Sequence, residues 1–200
     1  MTKEKDKKNH TPSTEIIQRL GLFRTSDAIK EGVSQRTLSR MVEAGTLSRL
    51  EHGIFLHPDF ERMDEVEFIQ ACLRFGPDAA IGGLTAFSYY AVTEQVPTQT
   101  WVMVSNSIRN LYPKSYRVLR TKHDLKVEIE EHEGWRIVSL ERAIIEAFVY
   151  HTKIGYQTAL IAARTALSEK KITEKSLATA AERLQCWPQI AKNWEAITTK

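Results

Sequence analysis

Residues 32–55, GVSQRTLSRMVEAGTLSRLEHGIF, determine the fold of the N-terminal part of the chain. Ser34 can cap the free N–H groups of a helix that begins just after it, and Val33 with Leu38 forms a hydrophobic staple across that start. Gly45 suits the left-handed position just past the helix end. Two short apolar segments separated by a tight turn come next. A capped helix followed by a hairpin is typical of the second half of a winged helix-turn-helix, a fold used mostly to bind DNA.

The hairpin and the residues upstream of the helix complete this domain. We predict that the hairpin, called the wing, has strands at 47–50 and 54–56. Upstream, Thr11 and Pro12 provide a cap and a first-turn proline for a first helix, and a second short helix follows it. The sequence therefore predicts a winged helix-turn-helix DNA-binding domain over residues 11–58.

The helix after Ser34 has one apolar side and one polar side. At about 100° per residue, Leu38, Met41 and Val42 fall within one sector and must face the core. Glu43 lies on the polar side. The residues of this helix and of the wing that we predict to contact DNA are Ser34, Gln35, Arg36, Ser39, Arg40, Arg49 and His52.

These residue types match the chemistry of DNA. Arginine donates two hydrogen bonds to guanine or pairs with phosphate, glutamine binds adenine, and wing residues contact the sugar-phosphate backbone. Two alternatives remain open. The polar side could be an ordinary solvated surface in which Arg40 and Glu43 pair three residues apart, or the domain could dock on another protein. The helix, turn and hairpin around these residues favour DNA contact.

The rest of the chain, residues 59–200, predicts a mixed C-terminal domain. Apolar and charged residues alternate from Leu125 to Ile129, as in a half-buried strand, and Ser139 and Thr173 can cap helices. We predict helices at 65–75 and 81–92, strands at 101–104, 116–119, 125–129 and 135–138, and a helical C-terminal tail. The predicted fold class is α+β, with a small antiparallel or mixed sheet after the winged helix-turn-helix.

A second concentration of positive charge lies between residues 109 and 126. This segment holds six basic residues against one acid, Asp124, and an acidic run follows at once. On a strand, Arg117 faces opposite to its apolar neighbours, so part of the charge is free to contact nucleic acid or an acidic partner. Alternatively, these are solvated loops that the acidic run balances. The candidate residues for this second basic surface are Arg109, Lys114, Arg117, Arg120 and Lys122.

Composition argues against several other classes of protein. The net charge of +3 is too small for non-specific coating of DNA, so any DNA contact must use a local concentration of charge. No apolar run is long enough to span a bilayer, and the charged N-terminus does not resemble a secretory signal. The two cysteines are far apart, and the histidines lack paired metal spacing. We therefore expect a cytoplasmic protein without metal, cofactor, catalytic residues or membrane contact.

Three segments, taken in order, resemble the AbiEi-type antitoxins of type IV toxin–antitoxin systems. Residues 22–59, LFRTSDAIKEGVSQRTLSRMVEAGTLSRLEHGIFLHPD, are similar to the N-terminal winged helix of that family. Residues 81–97, IGGLTAFSYYAVTEQVP, with the strand TWVMVS at 100–105, resemble the helix and first sheet strand that follow the wing. Residues 136–148, RIVSLERAIIEAF, resemble its strand and helix with a Ser-x-x-Arg start. The order of the segments favours this family.

The resemblance implies a bacterial, non-enzymatic protein. Its N-terminal domain would bind double-stranded DNA at inverted repeats in its own promoter and repress a toxin–antitoxin operon. Its C-terminal domain, residues 59–200, would counter a nucleotidyltransferase-like toxin, and a stable complex with that toxin is not required. The alternative is a winged-helix transcriptional regulator whose C-terminal domain senses a ligand or docks on a protein and has no antitoxin role.

Overall fold

The computed structural model describes residues 12–107 and 112–199, which form two compact units that divide between Val66 and Glu67. Helices and strands occur in both units, and each unit builds its own sheet. The predicted α+β class is therefore confirmed.

The N-terminal unit has the element order of a winged helix-turn-helix. Its elements are α1 (Ser13–Leu20), β1 (Leu22–Arg24), α2 (Thr25–Lys30), α3 (Gln35–Glu43), β2 (Ser48–Glu51) and β3 (Ile54–Leu56). Strands β1 to β3 form an antiparallel sheet in the order β1-β3-β2, and the hairpin β2–β3 is the wing. The helices and the wing lie where the sequence predicts them, whereas β1 is a strand that the sequence does not predict.

Local and long-range contacts together explain this unit. Ser34 Oγ accepts a hydrogen bond from the Thr37 N–H at 3.1 Å, which confirms the predicted cap of α3. Leu38, on the inner side of α3, is fully buried. Phe23 of β1 pairs with Phe55 of β3, and their rings stack with centroids 5.8 Å apart. β1 therefore depends on a partner more than 30 residues away, which the segment LFR does not reveal by itself.

The N-terminal unit extends past the end predicted for the domain. A Cβ added to Gly21 would lie 2.7 Å from Phe60 Cδ2, so the Phe60 ring sits directly against that backbone. The Gln18 amide also donates to the Asp59 carboxylate at 3.2 Å. These contacts fix the chain after the wing, and the unit ends at Val66. The division of functions between the two units stays a prediction.

The C-terminal unit begins at Glu67, one residue into its first helix, and consists of a sheet with helices and a helical tail. Its elements are α4 (Val66–Phe75), β4 (Ala80–Ile81), α5 (Gly83–Tyr89), β5 (Thr100–Ser105), β6 (Tyr116–Thr121), β7 (Ile129–His132), β8 (Trp135–Val138), α6 (Leu140–Val149), α7 (His151–Ile154), α8 (Tyr156–Ser168), α9 (Glu174–Arg183), α10 (Trp187–Ala191) and α11 (Trp194–Thr198). The predicted caps of α6 and α9, Ser139 and Thr173, both accept the expected backbone hydrogen bonds.

The sheet of this unit is mixed, with strand order β6-β5-β4-β8-β7. β5 and β6 run parallel, as do β4 and β8, whereas the pairs β4–β5 and β7–β8 are antiparallel. Phe75 of α4 packs edge-on against Tyr116, with ring centroids 5.1 Å apart. Gly83 begins α5 at a φ of +53°, and a Cβ there would lie 2.5 Å from Trp101 Cε3. The backbone at the start of α5 therefore lies directly against the Trp101 ring, where a larger side chain would not fit.

The strand predicted from Leu125 to Ile129 is wrong. The structure has turns and bends before Ile129, where β7 begins. The carbonyl oxygens of Asp124 and Val127 accept hydrogen bonds from Arg142 Nη1, which takes the place of a neighbouring strand. The alternating pattern is therefore the pattern of a loop wrapped around a buried guanidinium group.

Arg142 also forms a buried ion pair with Glu146, one turn later on α6. Arg142 Nη2 lies 3.1 Å from Glu146 Oε1, and the two side chains are 0% and 2% exposed. Thr121 Oγ1 donates to the same oxygen at 3.4 Å, whereas Glu146 Oε2 is buried without a partner among the described residues. Burial raises the pKa of Glu146 to about 7, and the bonds from Arg142 and Thr121 oppose this rise in part.

We expect the C-terminal unit to lose stability, relative to a Glu146→Gln variant, as the pH rises from about 4.5 to about 7. The folded state holds the Glu146 proton more tightly than the unfolded chain. Its contribution is therefore complete below the unfolded pKa and is lost as the pH rises through the folded pKa, by up to about 1.4 kcal/mol per pH unit. Urea unfolding followed by tryptophan fluorescence reports on this unit alone, because all four tryptophans lie in it. A pH-independent difference between the two proteins would contradict the prediction.

Candidate nucleic-acid interface

The outward surface of α3 carries two arginines with free guanidinium groups. Arg36 and Arg40 are exposed and one turn apart, and neither forms an ion pair or hydrogen bond through its side chain with residues 12–107 or 112–199. The alternative ion pair between Arg40 and Glu43 is not formed in that described part of the chain. Both guanidinium groups are therefore available to pair with guanine or with phosphate.

The hydroxyl groups of α3 are bonded within the helix. Besides capping Thr37, Ser34 Oγ lies 2.9 Å from Thr37 Oγ1. Ser39 Oγ donates to the carbonyl of Gln35 at 3.2 Å. A hydroxyl has one donor and two acceptor positions, so Ser39 in this state can accept from a base amino group but cannot donate to phosphate. Ser34 thus has a structural role whatever it contacts on a partner.

The tip of the wing presents two nitrogen donors side by side. Arg49 Nη2 lies 2.8 Å from His52 Nδ1, and Arg49 Nε donates to the Glu51 carbonyl at 3.4 Å. Because arginine only donates, Nδ1 is the acceptor, and a neutral His52 ring carries its proton on Nε2. The Thr25 N–H anchors the turn through the Gly53 carbonyl at 2.9 Å. The arrangement suits contact with a phosphate beside a groove.

A cleft of about 230 Å³ separates α3 from the wing. Gln35, Ser39 and Glu43 repeat every four residues and so share the face of α3 that lines it. Arg36 and Arg40 lie on the neighbouring face and do not line the cleft. The lining residues are Thr25, Gln35, Ser39, Val42, Glu43, Arg49, His52, Gly53 and Phe55.

Two polar side chains that line the cleft, Thr25 and Glu43, are absent from the set of residues predicted to contact DNA. Glu43 has a sequence signal that could have placed it there, because it continues the four-residue spacing of Gln35 and Ser39. Thr25 has none, since its place in the cleft depends on its bond to Gly53, 28 residues away. The contacts of the predicted DNA-binding residues with DNA stay a prediction.

The second basic surface lies on and beside β6, an edge strand of the C-terminal sheet. Arg117 lies over the Trp101 ring at 5.7 Å and Arg120 over the Tyr112 ring at 5.8 Å. Being three residues apart on a strand, the two arginines point to opposite faces of the sheet, so they do not form one patch. The exposed members are Lys114, Arg117, Arg120 and Lys122, and Arg109 lies outside the described residues. A role for this surface in binding stays a prediction.

A cysteine and a histidine of the C-terminal unit lie in contact with each other. Cys186 Sγ lies 3.3 Å from His123 Nε2. Burial raises the pKa of the Cys186 thiol and lowers the pKa of His123, which favours two neutral groups over a thiolate–imidazolium pair. Across residues 12–107 and 112–199, no three His, Cys, Asp or Glu side chains are arranged to hold a metal ion. Within the same ranges, no helix has the length and apolar character needed to span a membrane.

The N-terminal unit matches a known protein family. Residues 13–57 match the family model described as transcriptional regulator, AbiEi antitoxin. The match runs from α1 through β3 and confirms the predicted resemblance for this region. It supports a role as a DNA-binding transcriptional regulator, and the family is one of regulators and antitoxins rather than enzymes. The resemblance of residues 81–105 and 136–148 stays a prediction.

The fold as a whole is similar to a solved structure. The crystal structure of the RV2827C protein from Mycobacterium tuberculosis has a TM-score of 0.62 to this chain and 10% sequence identity, covering 94% of this chain and 78% of that one. Identity this low shows similarity of fold alone. No curated protein matches the chain.

Proposed function

We propose that this protein is an antitoxin that binds double-stranded DNA in its own promoter and represses a toxin–antitoxin operon. The observation that carries the proposal is that Arg36 and Arg40 on α3 are exposed and have no side-chain partner among the described residues. They lie on the recognition helix of a domain that matches AbiEi regulators. A helix of this kind enters the major groove with its outward side chains against the base edges.

Helix α3 and the wing suit two different kinds of DNA contact. Arg36 and Arg40 suit guanine or phosphate, and Gln35 suits adenine. Arg49 and His52 at the tip of the wing suit the sugar-phosphate backbone. The predicted contact residues remain Ser34, Gln35, Arg36, Ser39, Arg40, Arg49 and His52.

Two copies of the protein are expected on each operator. One recognition helix and one wing contact only a few base pairs, so specificity requires a second copy on an inverted repeat. The net charge of +3 supports the same conclusion, because a nearly neutral protein cannot hold DNA by bulk electrostatics alone.

Titration of the purified protein with DNA from upstream of its own gene tests the DNA-binding part. We expect tighter binding to this duplex than to a scrambled one, a stoichiometry of two per operator, and affinity that weakens steeply with salt. Equal affinity for both duplexes, or no salt-sensitive binding at all, would instead favour a winged-helix module that docks on protein.

The antitoxin part of the proposal concerns the C-terminal unit and a nucleotidyltransferase-like toxin. Its support is the resemblance of residues 81–105 and 136–148 to the AbiEi-type antitoxins. A stable complex with the toxin is not required for this role, so the test measures growth rather than binding. Co-expression with the product of the neighbouring gene tests it by growth. Rescue of growth supports the antitoxin role. Toxicity that persists while operator binding is intact supports a transcriptional regulator without that role.

A further inference from the structure

Glu43 lies in the cleft between α3 and the wing, and nothing in the described residues 12–107 and 112–199 pairs with its carboxylate. It is exposed and shares its face of α3 with Gln35 and Ser39. Across the cleft, Arg49 donates to His52 Nδ1 rather than to Glu43. The cleft therefore holds a free acceptor beside the two wing donors.

The position of Glu43 is unfavourable for the isolated domain. Glu43 is the last residue of α3, where a negative charge opposes the helix dipole. It is also unfavourable for general contact with DNA, because the carboxylate repels phosphate. A residue that breaks local rules in this way, without a compensating partner in the part of the chain that the structure describes, indicates a role in the bound state.

We infer that Glu43 is a specificity-determining residue that accepts a hydrogen bond from the N4 amino group of a cytosine in the major groove. This inference rests on the proposed function. The donors that bases present in the major groove are the amino groups of cytosine and adenine, and a carboxylate suits the first as glutamine suits the second. Glu43 and Gln35, on one face of α3, thus provide acceptors of two different kinds.

In this role, Glu43 strengthens binding to a duplex that has the cytosine and weakens binding to a duplex that lacks it. On a duplex without the cytosine, the carboxylate faces base acceptors and phosphate, and binding is weakened. Replacement by glutamine removes the charge and adds a donor, so the wrong duplex is no longer penalised. The Glu43→Gln variant is therefore expected to lose selectivity rather than affinity.

Selection from a duplex library with randomised positions, followed by sequencing, tests the inference on the full chain. Wild type should prefer cytosine at one position of each half-site, and Glu43→Gln should reduce that preference about fivefold or more. Fluorescence anisotropy should show severalfold tighter binding of the variant to a scrambled duplex, with a smaller change for the selected duplex. The thermal midpoint of the variant should not fall, because the substitution removes an unfavourable helix-end charge.

Glu15→Gln is the matched control, because it makes the same charge change at an exposed residue of α1. Unchanged base preferences in Glu43→Gln would overturn the inference. So would an equal rise in scrambled-duplex affinity in Glu15→Gln, since the effect would then be one of net charge. If wild type itself selects no sequence, the proposed function fails rather than the role of Glu43 within it.

Discussion

Replacing Arg142 by methionine is expected to lower the free energy of unfolding of the C-terminal unit by about 3–5 kcal/mol. Methionine fills much of the volume of the side chain but donates no hydrogen bond. Glu146 would then lose its cation and the hydrogen bonds from Arg142 in a fully buried position. The carbonyl oxygens of Asp124 and Val127 would lose their donor at the same time. Since Arg142 holds both α6 and the loop before β7, the substitution removes contacts from two parts of the unit.

Arg183→Met is the matched control for this experiment. Arg183 Nη1 lies 3.0 Å from Glu128 Oε1, much like the distance in the buried pair, but the Arg183 side chain is 66% exposed. Its loss should cost less than about 1 kcal/mol, because solvent screens an exposed ion pair. Urea unfolding monitored by tryptophan fluorescence compares the two variants in the same unit. If the two variants lose equal free energy of unfolding, burial of the Arg142–Glu146 pair does not explain the effect of Arg142→Met.

The elements that the sequence predicts well are those with local signals. The cap at Ser34, the staple of Val33 and Leu38 and the glycine at 45 all act within a few residues of α3. The structure therefore has α3 where the sequence places it. The same holds for the caps at Ser139 and Thr173, each of which bonds an N–H three residues later.

The elements that the sequence does not predict depend on distant partners. Residues 125–129 alternate as a strand would, but the donor that determines their backbone conformation, Arg142, lies on α6. Arg136 of β8 adds a second such bond, from Nη2 to the Leu125 carbonyl at 2.6 Å. Only Leu125 of this segment is buried, whereas Val127, Glu128 and Ile129 are all half-buried, so the alternation in the sequence does not reflect two faces of a strand.

The candidate site shows the same difference between features with local signals and features that depend on distant residues. A helical wheel places Arg36 and Arg40 on the exposed face, because exposure on a helix follows from its period alone. It cannot show that Gln35, Ser39 and Glu43 face the wing, because that depends on how the hairpin returns beside α3. The cleft is thus a tertiary feature, and the position of Glu43 beside Arg49 and His52 of the wing follows from the tertiary structure alone.

Replacing both Arg36 and Arg40 by alanine is expected to weaken operator binding by about 2–6 kcal/mol, or about thirtyfold or more. Each arginine is exposed and unpaired in the described part of the chain, so each can donate fully to guanine or phosphate. The fold should be unaffected, because neither side chain packs in the core and alanine favours a helix. Fluorescence anisotropy with the operator duplex measures the affinity, and circular dichroism checks the helix content.

Arg164→Ala with Arg183→Ala is the matched control, since it removes the same charge from exposed arginines of the C-terminal unit.

The salt dependence of binding distinguishes the two roles open to Arg36 and Arg40. If both contact phosphate, the double variant should lose about two units from the slope of log affinity against log salt, and all duplexes should weaken alike. If they contact guanine, the slope should change little and selectivity should fall instead. Equal weakening by the control pair would mean that α3 contributes only net charge, and the assignment of its outward face to DNA would then be wrong.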